Sequence, residues 1–172
     1  NEFSYLPEAS GGFSTLNVIA DEKLWNAGLK PYLVYTFEKE IEGLLNYEKE
    51  FDVKKIRSKA FNRLFKRQRY LLIFITSKKV KNPKVNIRKD IYAQGQIIVQ
   101  VSGRTNEEAI QKFQEKQTDI YRVINEHRIK IIQKLAENRN NKKLEETLAN
   151  SHGINLTIPQ SYNLAIDTTN FF

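Results

Sequence analysis

Apolar and polar residues recur along this chain with two different periods, which together predict an α+β fold. The runs Leu16–Ala20 and Tyr70–Thr76 are strand-sized, and the second is almost wholly apolar, as a strand buried on both faces would be. A weaker strand is indicated around 51–56. Residues 85–91 and 97–102 alternate between apolar and polar positions, so together they predict a β-hairpin.

Helical spacing appears between and after these strands. Apolar residues lie on one helical face from Pro31 to a stop at Gly43. Thr105 and Glu108 match a capping box, which predicts a long helix over about 106–137. The run NRNN at 138–141 is the expected break. Shorter helical segments are predicted at 21–25, 60–65 and 144–152, and a short final strand is predicted at 154–158.

These elements define the expected architecture. We predict a flexible leader, 1–13, followed by a single α+β domain, 14–172. Its sheet is expected to be mixed or antiparallel, with helices packed on one face. A ferredoxin-like arrangement, which is a split βαβ unit, is one topology that fits this order.

Charge is distributed unevenly, and this changes the picture more than the overall composition does. The chain has a net charge of +8, yet residues 54–89 hold 14 basic residues and no acidic one. Residues 1–53 hold 4 basic and 10 acidic residues. Such a concentration of cations predicts a surface for a polyanion such as an acidic polysaccharide, an anionic lipid or a nucleic acid. The candidate binding residues are Lys54, Lys55, Arg63, Lys66, Arg67, Arg69, Lys78, Lys79, Lys81 and Lys84.

A simpler interpretation of the same segment stays open. The cations would then form a solvated face, or would pair with the acidic residues of 38–52 across the fold. The aromatic residues interleaved with them fit core positions, because Phe61 and Phe65 have helical spacing and Phe74 lies in an apolar strand. Nucleic acid, which would need exposed aromatic rings for stacking, is therefore the least favoured polyanion.

Residue types that usually carry catalysis or bind metals are sparse. The chain has no cysteine and two isolated histidines, His127 and His152. His127 falls on the apolar stripe of the long helix, and His152 falls at a helix end where a cation is favoured. We therefore predict no metal site, no cofactor and no catalytic residue, although a hydrolase whose site residues are dispersed along the chain stays an alternative.

Four stretches resemble the domain-of-unknown-function family DUF4837 of the Bacteroidetes. They are DEKLW at 21–25, AFNRLFKRQRYLLIF at 60–74, VNIRKDIYAQGQIIVQVSG at 85–103 and GINLTIPQSYNLAIDTTNF at 153–171. The resemblance implies a lipoprotein of the cell envelope, held by a lipid anchor upstream of residue 1 and facing the periplasm. It also implies a chain that continues beyond residue 172.

Two functional hypotheses are therefore favoured over the hydrolase. The first is a non-enzymatic envelope module that binds a macromolecule of the envelope or serves a structural role. The second is a module that binds a polyanion or an anionic membrane surface through the basic segment 54–89.

Overall fold

The structure is a computed structural model, and it describes residues 5–165. The strands in this range are β1 (Thr15–Ile19), β2 (Asp52–Ile56), β3 (Tyr70–Thr76), β4 (Lys84–Lys89) and β5 (Ile97–Gly103). The α-helices in this range are α1 (Glu22–Leu24), α2 (Lys30–Phe37), α3 (Arg63–Lys66), α4 (Asn106–Asn138) and α5 (Lys142–His152). The α+β class and the long helix after the last strand are confirmed. No helix in this range has both the length and the apolar character needed to cross a bilayer.

The five described strands form one mixed sheet in the order β2-β1-β3-β5-β4. Strand β1 runs parallel to β2 and β3, and β3 runs parallel to β5. Only the edge strand β4 is antiparallel to its neighbour, β5. The mixed sheet is thus confirmed, but its topology is not the ferredoxin-like arrangement. A split βαβ unit has another strand between its two parallel strands, whereas β1 and β2 are direct neighbours.

The first face of the sheet carries the main core. Its strands contribute alternate residues, because successive side chains of a strand point to opposite faces. Val18, Leu72 and Val99 are fully buried there, together with Leu33 of α2 and Phe113 of α4. Helices α2 and α4 therefore cover this face.

The second face is covered more thinly, by the connection from β2 to β3. Ile19, Leu71 and Ile98 form a small buried cluster on this face, and Phe61 and Phe65 pack against it. The expectation that all helices lie on one face is corrected here, since Phe65 belongs to α3. The strand order explains why both faces are covered. The chain crosses from β1 to β2 over one face, and it returns past β1 to β3 over the other.

The connection from β1 to β2 departs from the predicted helix over 31–43. A π-helical turn at Trp25–Leu29 joins α1 to α2, with Gly28 at a φ of 106°. Helix α2 ends at Phe37. The carboxylate of the next residue, Glu38, binds the segment that leads into β2. It accepts hydrogen bonds from Lys49 Nζ at 2.7 Å and from the Val53 backbone N–H at 3.2 Å.

The hairpin and the long helix match their predicted positions. In the β4–β5 loop, the Asp90 carboxylate accepts hydrogen bonds from the N–H groups of Gly95 and Gln96, at 2.6 and 3.1 Å. Helix α4 begins with the predicted capping pair, in which the Glu108 N–H donates to Thr105 Oγ1 at 3.2 Å. Helix α4 has 33 residues and ends at the predicted break.

The first residues that the structure describes are attached to the sheet. The Ala9 N–H donates to the Gln94 carbonyl at 2.9 Å, and the Ser10 N–H donates to the Arg67 carbonyl at 2.9 Å. Ala9 is buried. This part of the predicted leader is therefore anchored, while residues 1–4 lie outside the described range.

The chain forms two compact units, Asn1–Asn125 and Glu126–Phe172. In the second unit, Gly153 ends α5 in the left-handed conformation, with a φ of 67°. The predicted final strand at 154–158 is not formed. The Ile158 N–H instead donates to the Glu145 carboxylate at 2.8 Å, and the Ile158 carbonyl accepts from the Asn141 N–H at 2.7 Å.

Candidate polyanion-binding surface

The ten predicted binding residues lie on four different parts of the first unit. Lys54 and Lys55 lie on β2, while Arg63 and Lys66 lie on α3. Arg67 and Arg69 follow α3 and lead into β3. The remaining four, Lys78, Lys79, Lys81 and Lys84, follow β3 and enter β4. The structure thus does not bring all ten together.

The two lysines of β2 are held by carboxylates. Lys54 Nζ lies 3.3 Å from the carboxylate of Asp52. Lys55 Nζ lies 2.7 Å from the carboxylate of Glu22 and 5.0 Å from the centre of the Trp25 ring. The hydrogen bond and charge of Lys55 keep the pKa of the Glu22 carboxyl below its ordinary value. Lys55 joins β2 to α1, whereas Lys54 forms an exposed pair within its own strand. Because both lysines have a carboxylate partner, we remove them from the candidate surface.

Arg69 also has a structural role. Its guanidinium donates to the carbonyls of Ala9 and Gly95, at 3.0 and 3.5 Å, and lies 4.7 Å from the centre of the Phe13 ring. It fastens the start of the chain to the loop that precedes β5. Lys66 Nζ lies 5.4 Å from the centre of the Tyr92 ring, so part of its charge faces an aromatic surface.

The four lysines that follow β3 have a different environment. The turn between β3 and β4 is closed by hydrogen bonds to Ser77, whose carbonyl accepts from the Val80 N–H and whose hydroxyl accepts from the Lys79 N–H. All four lysine side chains are exposed. Among residues 5–165, no carboxylate lies within ion-pair distance of Lys78, Lys79, Lys81 or Lys84. We call residues 77–84 the basic turn.

The strand directions place the basic turn at one end of the strands, which we call the carboxyl edge of the sheet. The parallel strands β1, β2, β3 and β5 all end at the carboxyl edge, and β4 starts there because it is antiparallel. Exposed Arg57 follows β2, and exposed Arg104 follows β5. In sheets of parallel strands, ligands bind outside the carboxyl ends where the strand order reverses. That reversal lies here between β1 and β3, and the basic turn follows β3.

Other exposed cations were not among the predicted binding residues. Arg88 and Lys89 lie on β4 and have no ion pair within residues 5–165. In the sheet register Lys84 pairs with Ser102 and Arg88 pairs with Ile98, so Lys84 and Arg88 point to the second face. Alternation within 85–91 was the signal that could have identified Arg88.

The acidic segment that precedes β2 does not neutralise the basic turn. Glu38 binds Lys49 at 2.7 Å, and Glu50 accepts a hydrogen bond from the Tyr121 hydroxyl at 2.8 Å. Within the described residues, Asp52 is the one acidic residue of 38–52 that pairs with a predicted binding residue, and its partner Lys54 lies in the same strand. The acidic segment therefore does not account for the cations that follow β3.

The aromatic residues of the basic segment serve the core. Tyr70 and Phe74 are buried in β3, and Phe61 and Phe65 are half-buried against the second face. The interpretation of these rings as core residues is confirmed. Stacking on nucleic-acid bases would need rings that are more exposed.

The histidines lie apart from this surface in the chain. His127 is half-buried on α4, and His152 is the last residue of α5. Within the described range, no three His, Asp or Glu side chains are close enough together to hold a metal ion.

Fold and surface together define an α+β module with a mixed sheet and a basic carboxyl edge. A family model described as domain of unknown function DUF8532 matches residues 9–137. The match covers most of the chain, which therefore belongs to this family. No curated protein and no solved structure gives a significant match.

This finding corrects the resemblance to DUF4837, because the family model assigns a different domain. Within the described residues, the stretches that carried the resemblance contain α1, α3 with the first part of β3, the β4–β5 hairpin, and the segment 153–165 that follows α5. The stretch at 153–171 also lies outside the matched range. The envelope location, the periplasmic side and the lipid anchor were implied by that resemblance, and they stay untested predictions.

Proposed function

We propose that this domain is a binding module that recognises a polyanionic partner by charge. The carrying observation is the basic turn, whose four lysines are exposed and have no carboxylate partner within residues 5–165. Exposed Arg57 adds to this cationic surface at the ends of the parallel strands, whereas Arg88 and Lys89 are exposed cations at the far end of β4.

The chemistry of these side chains indicates how such a partner would be bound. Lysine presents a hydrated point charge on a flexible stem, whereas arginine offers a rigid fork for paired hydrogen bonds. A lysine-rich turn therefore suits a partner with many anionic groups and a variable geometry. Binding of this kind releases counterions, so the affinity falls steeply as the salt concentration rises.

Retention on immobilised heparin over a series of salt concentrations tests the proposal. The test variant carries Lys78→Glu, Lys79→Glu and Lys81→Glu. The matched control carries Lys130→Glu, Lys134→Glu and Lys142→Glu, three exposed lysines of the second unit, so both variants change the net charge equally. We expect the test variant to elute at a clearly lower salt concentration, with the salt slope falling by about one for each contacting cation that is lost. The control should stay close to the wild type.

Two results would overturn the proposal. One is retention of the test variant equal to that of the wild type. The other is an equal loss in both variants, because net charge rather than the basic turn would then explain retention. Vesicles of phosphatidylcholine, with and without phosphatidylserine, show in parallel whether an anionic lipid surface is the polyanion, at about 1 kcal/mol for each cation near the surface.

A further inference from the structure

We propose that the free edge of β4 accepts an acidic polypeptide segment, which adds to the sheet as a sixth strand. This inference rests on the proposed function, because it uses cations of the same surface. It goes further by naming the class of partner and the mode of binding, which is β-strand addition.

The backbone of β4 is available for such pairing. It is an edge strand of six residues, and no proline interrupts it, since Pro83 precedes its first residue. Within residues 5–165, the backbone groups of β4 bond to β5 and to the Ser102 side chain. An exposed edge of this length presents a row of donors and acceptors to another chain.

The charges of β4 determine which chain can pair with it. Lys84, Arg88 and Lys89 are exposed, and no ion pair engages them in the described part of the chain. Like charges oppose each other when two copies of this edge meet, which disfavours pairing between two molecules. An acidic strand meets the opposite situation, because its carboxylates would face these cations.

The alternation of β4 also specifies a pattern in the partner. Lys84 and Arg88 point to the second face, while Val85 and the 40% exposed Ile87 point to the first. Directly opposed residues of paired strands share a face. The partner should therefore alternate acidic residues with apolar ones.

The opposite edge of the sheet shows what an occupied edge looks like. At β2, the Val53 N–H already donates to the Glu38 carboxylate at 3.2 Å. The two lysines of β2 are paired with Asp52 and Glu22. The edge at β2 thus lacks both the free charges and part of the free backbone that β4 offers.

The acidic residues of α4 that flank the start of β4 are themselves neutralised. A groove there is lined by Pro83, Glu108 and Glu115. Glu108 pairs with Arg104 at 3.5 Å, and Glu115 pairs with Lys112. The local charge at this end of β4 therefore stays positive.

A pair of synthetic peptides tests the inference on the unmodified protein. The first is the alternating peptide Glu-Val-Glu-Val-Glu-Val with blocked ends. The second has the same sequence with N-methyl groups on alternate backbone nitrogens, which removes N–H donors and keeps the charge. We expect the first peptide to bind and to slow amide hydrogen exchange across Lys84–Lys89, and we expect the second to do neither.

Variants supply the second arm of the test. Reversing two charges with Lys84→Glu and Arg88→Glu should weaken binding of the first peptide by about tenfold. Lys130→Glu with Lys134→Glu, at two exposed lysines of α4, is the matched control because it changes the net charge equally, and it should bind like the wild type. The peptide comparison needs no substitution, so the inference stays testable if a β4 variant fails to fold.

The outcomes separate this inference from the proposed function. Equal binding of both peptides, with heparin retention still dependent on the basic turn, would overturn strand addition and leave the polyanion proposal intact. Absence of binding of the first peptide would have the same meaning. Heparin retention that does not depend on the basic turn would overturn the proposed function itself.

Discussion

Lys55 Nζ lies 2.7 Å from the carboxylate of Glu22, and this contact joins the edge strand β2 to α1. The sequence predicts Lys55 as a polyanion-binding residue because it lies in the basic segment 54–89. In the structure it lies above the Trp25 ring and beside Glu22, so it has a structural role. Its hydrogen bond and charge also lower the pKa of Glu22.

The pKa of Glu22 should depend on Lys55. Lys55→Gln removes the ammonium group, whose hydrogen bond and charge lower this pKa, so we expect the pKa to rise toward its ordinary value of 4.5. A lowered carboxyl pKa stabilises the fold above the unfolded-state value, and this contribution is lost as the pH falls through the folded-state pKa. NMR titration of the Glu22 carboxyl carbon measures the shift. An unchanged pKa in the variant would show that the pair does not persist in solution.

Gln96 should matter for stability although it carries no charge. Its side chain is fully buried, donates to the carbonyls of Lys66 and Gln68 at 2.6 and 2.7 Å, and accepts from the Tyr92 N–H at 3.1 Å. Gln96→Leu leaves these groups without partners, and we expect a loss of about 3 kcal/mol in the free energy of unfolding. Gln94→Leu, at an exposed side chain, is the control for urea denaturation and should change little.

Gly103 is required by the close approach of β5 to the start of α4. A Cβ at this position would lie 2.5 Å from the backbone nitrogen of Ala109, and a backbone atom of a helix cannot move away cheaply. Gly103→Ala should therefore cost about 2 kcal/mol of the free energy of unfolding. Gly12→Ala is a milder control, because its Cβ would meet the Thr15 side chain at 3.1 Å. Equal thermal stability of the two variants would contradict this assignment.

Asp90 should control the order of the β4–β5 hairpin. It adopts a φ of 53°, which Asn and Asp tolerate better than other non-glycine residues, and its carboxylate binds two N–H groups of the loop. Asp90→Ala should cost about 1 kcal/mol or more and speed amide exchange in the loop. Asp90→Asn keeps an acceptor oxygen and should retain most of the stability, so a loss as large as that of Asp90→Ala would refute this role.

The sequence predicts those parts of the fold that local chemistry decides. The apolar run of β3, the hairpin and the capping pair at Thr105 are local, and all three form as predicted. Helix α2 ends early because Glu38 binds Lys49 and the Val53 N–H, partners that helical periodicity does not reveal. The alternation at 154–158 predicts a strand, but the backbone there bonds to Asn141 and Glu145 instead.

The candidate site was predictable only as a density of charge. Sequence spacing shows that cations crowd into 54–89, but it does not show which of them have partners. Lys55 and Glu22 are far apart in the chain, and Arg69 meets Ala9 only after the sheet has formed. Within the described residues, the lysines of the basic turn have no ion pair. The sequence also places no acidic residue between β3 and Asp90.

Strand β3 also separates the cations before it from those after it in the basic segment 54–89, and the two groups are screened from each other. Its seven residues extend about 23 Å at about 3.3 Å per residue, with Arg67 and Arg69 before it and Lys78 and Lys79 after it. At physiological ionic strength the electrostatic screening length is about 8 Å. An anion at one end of β3 therefore experiences almost none of the charge at the other end, and the 14 cations of 54–89 do not act as one patch.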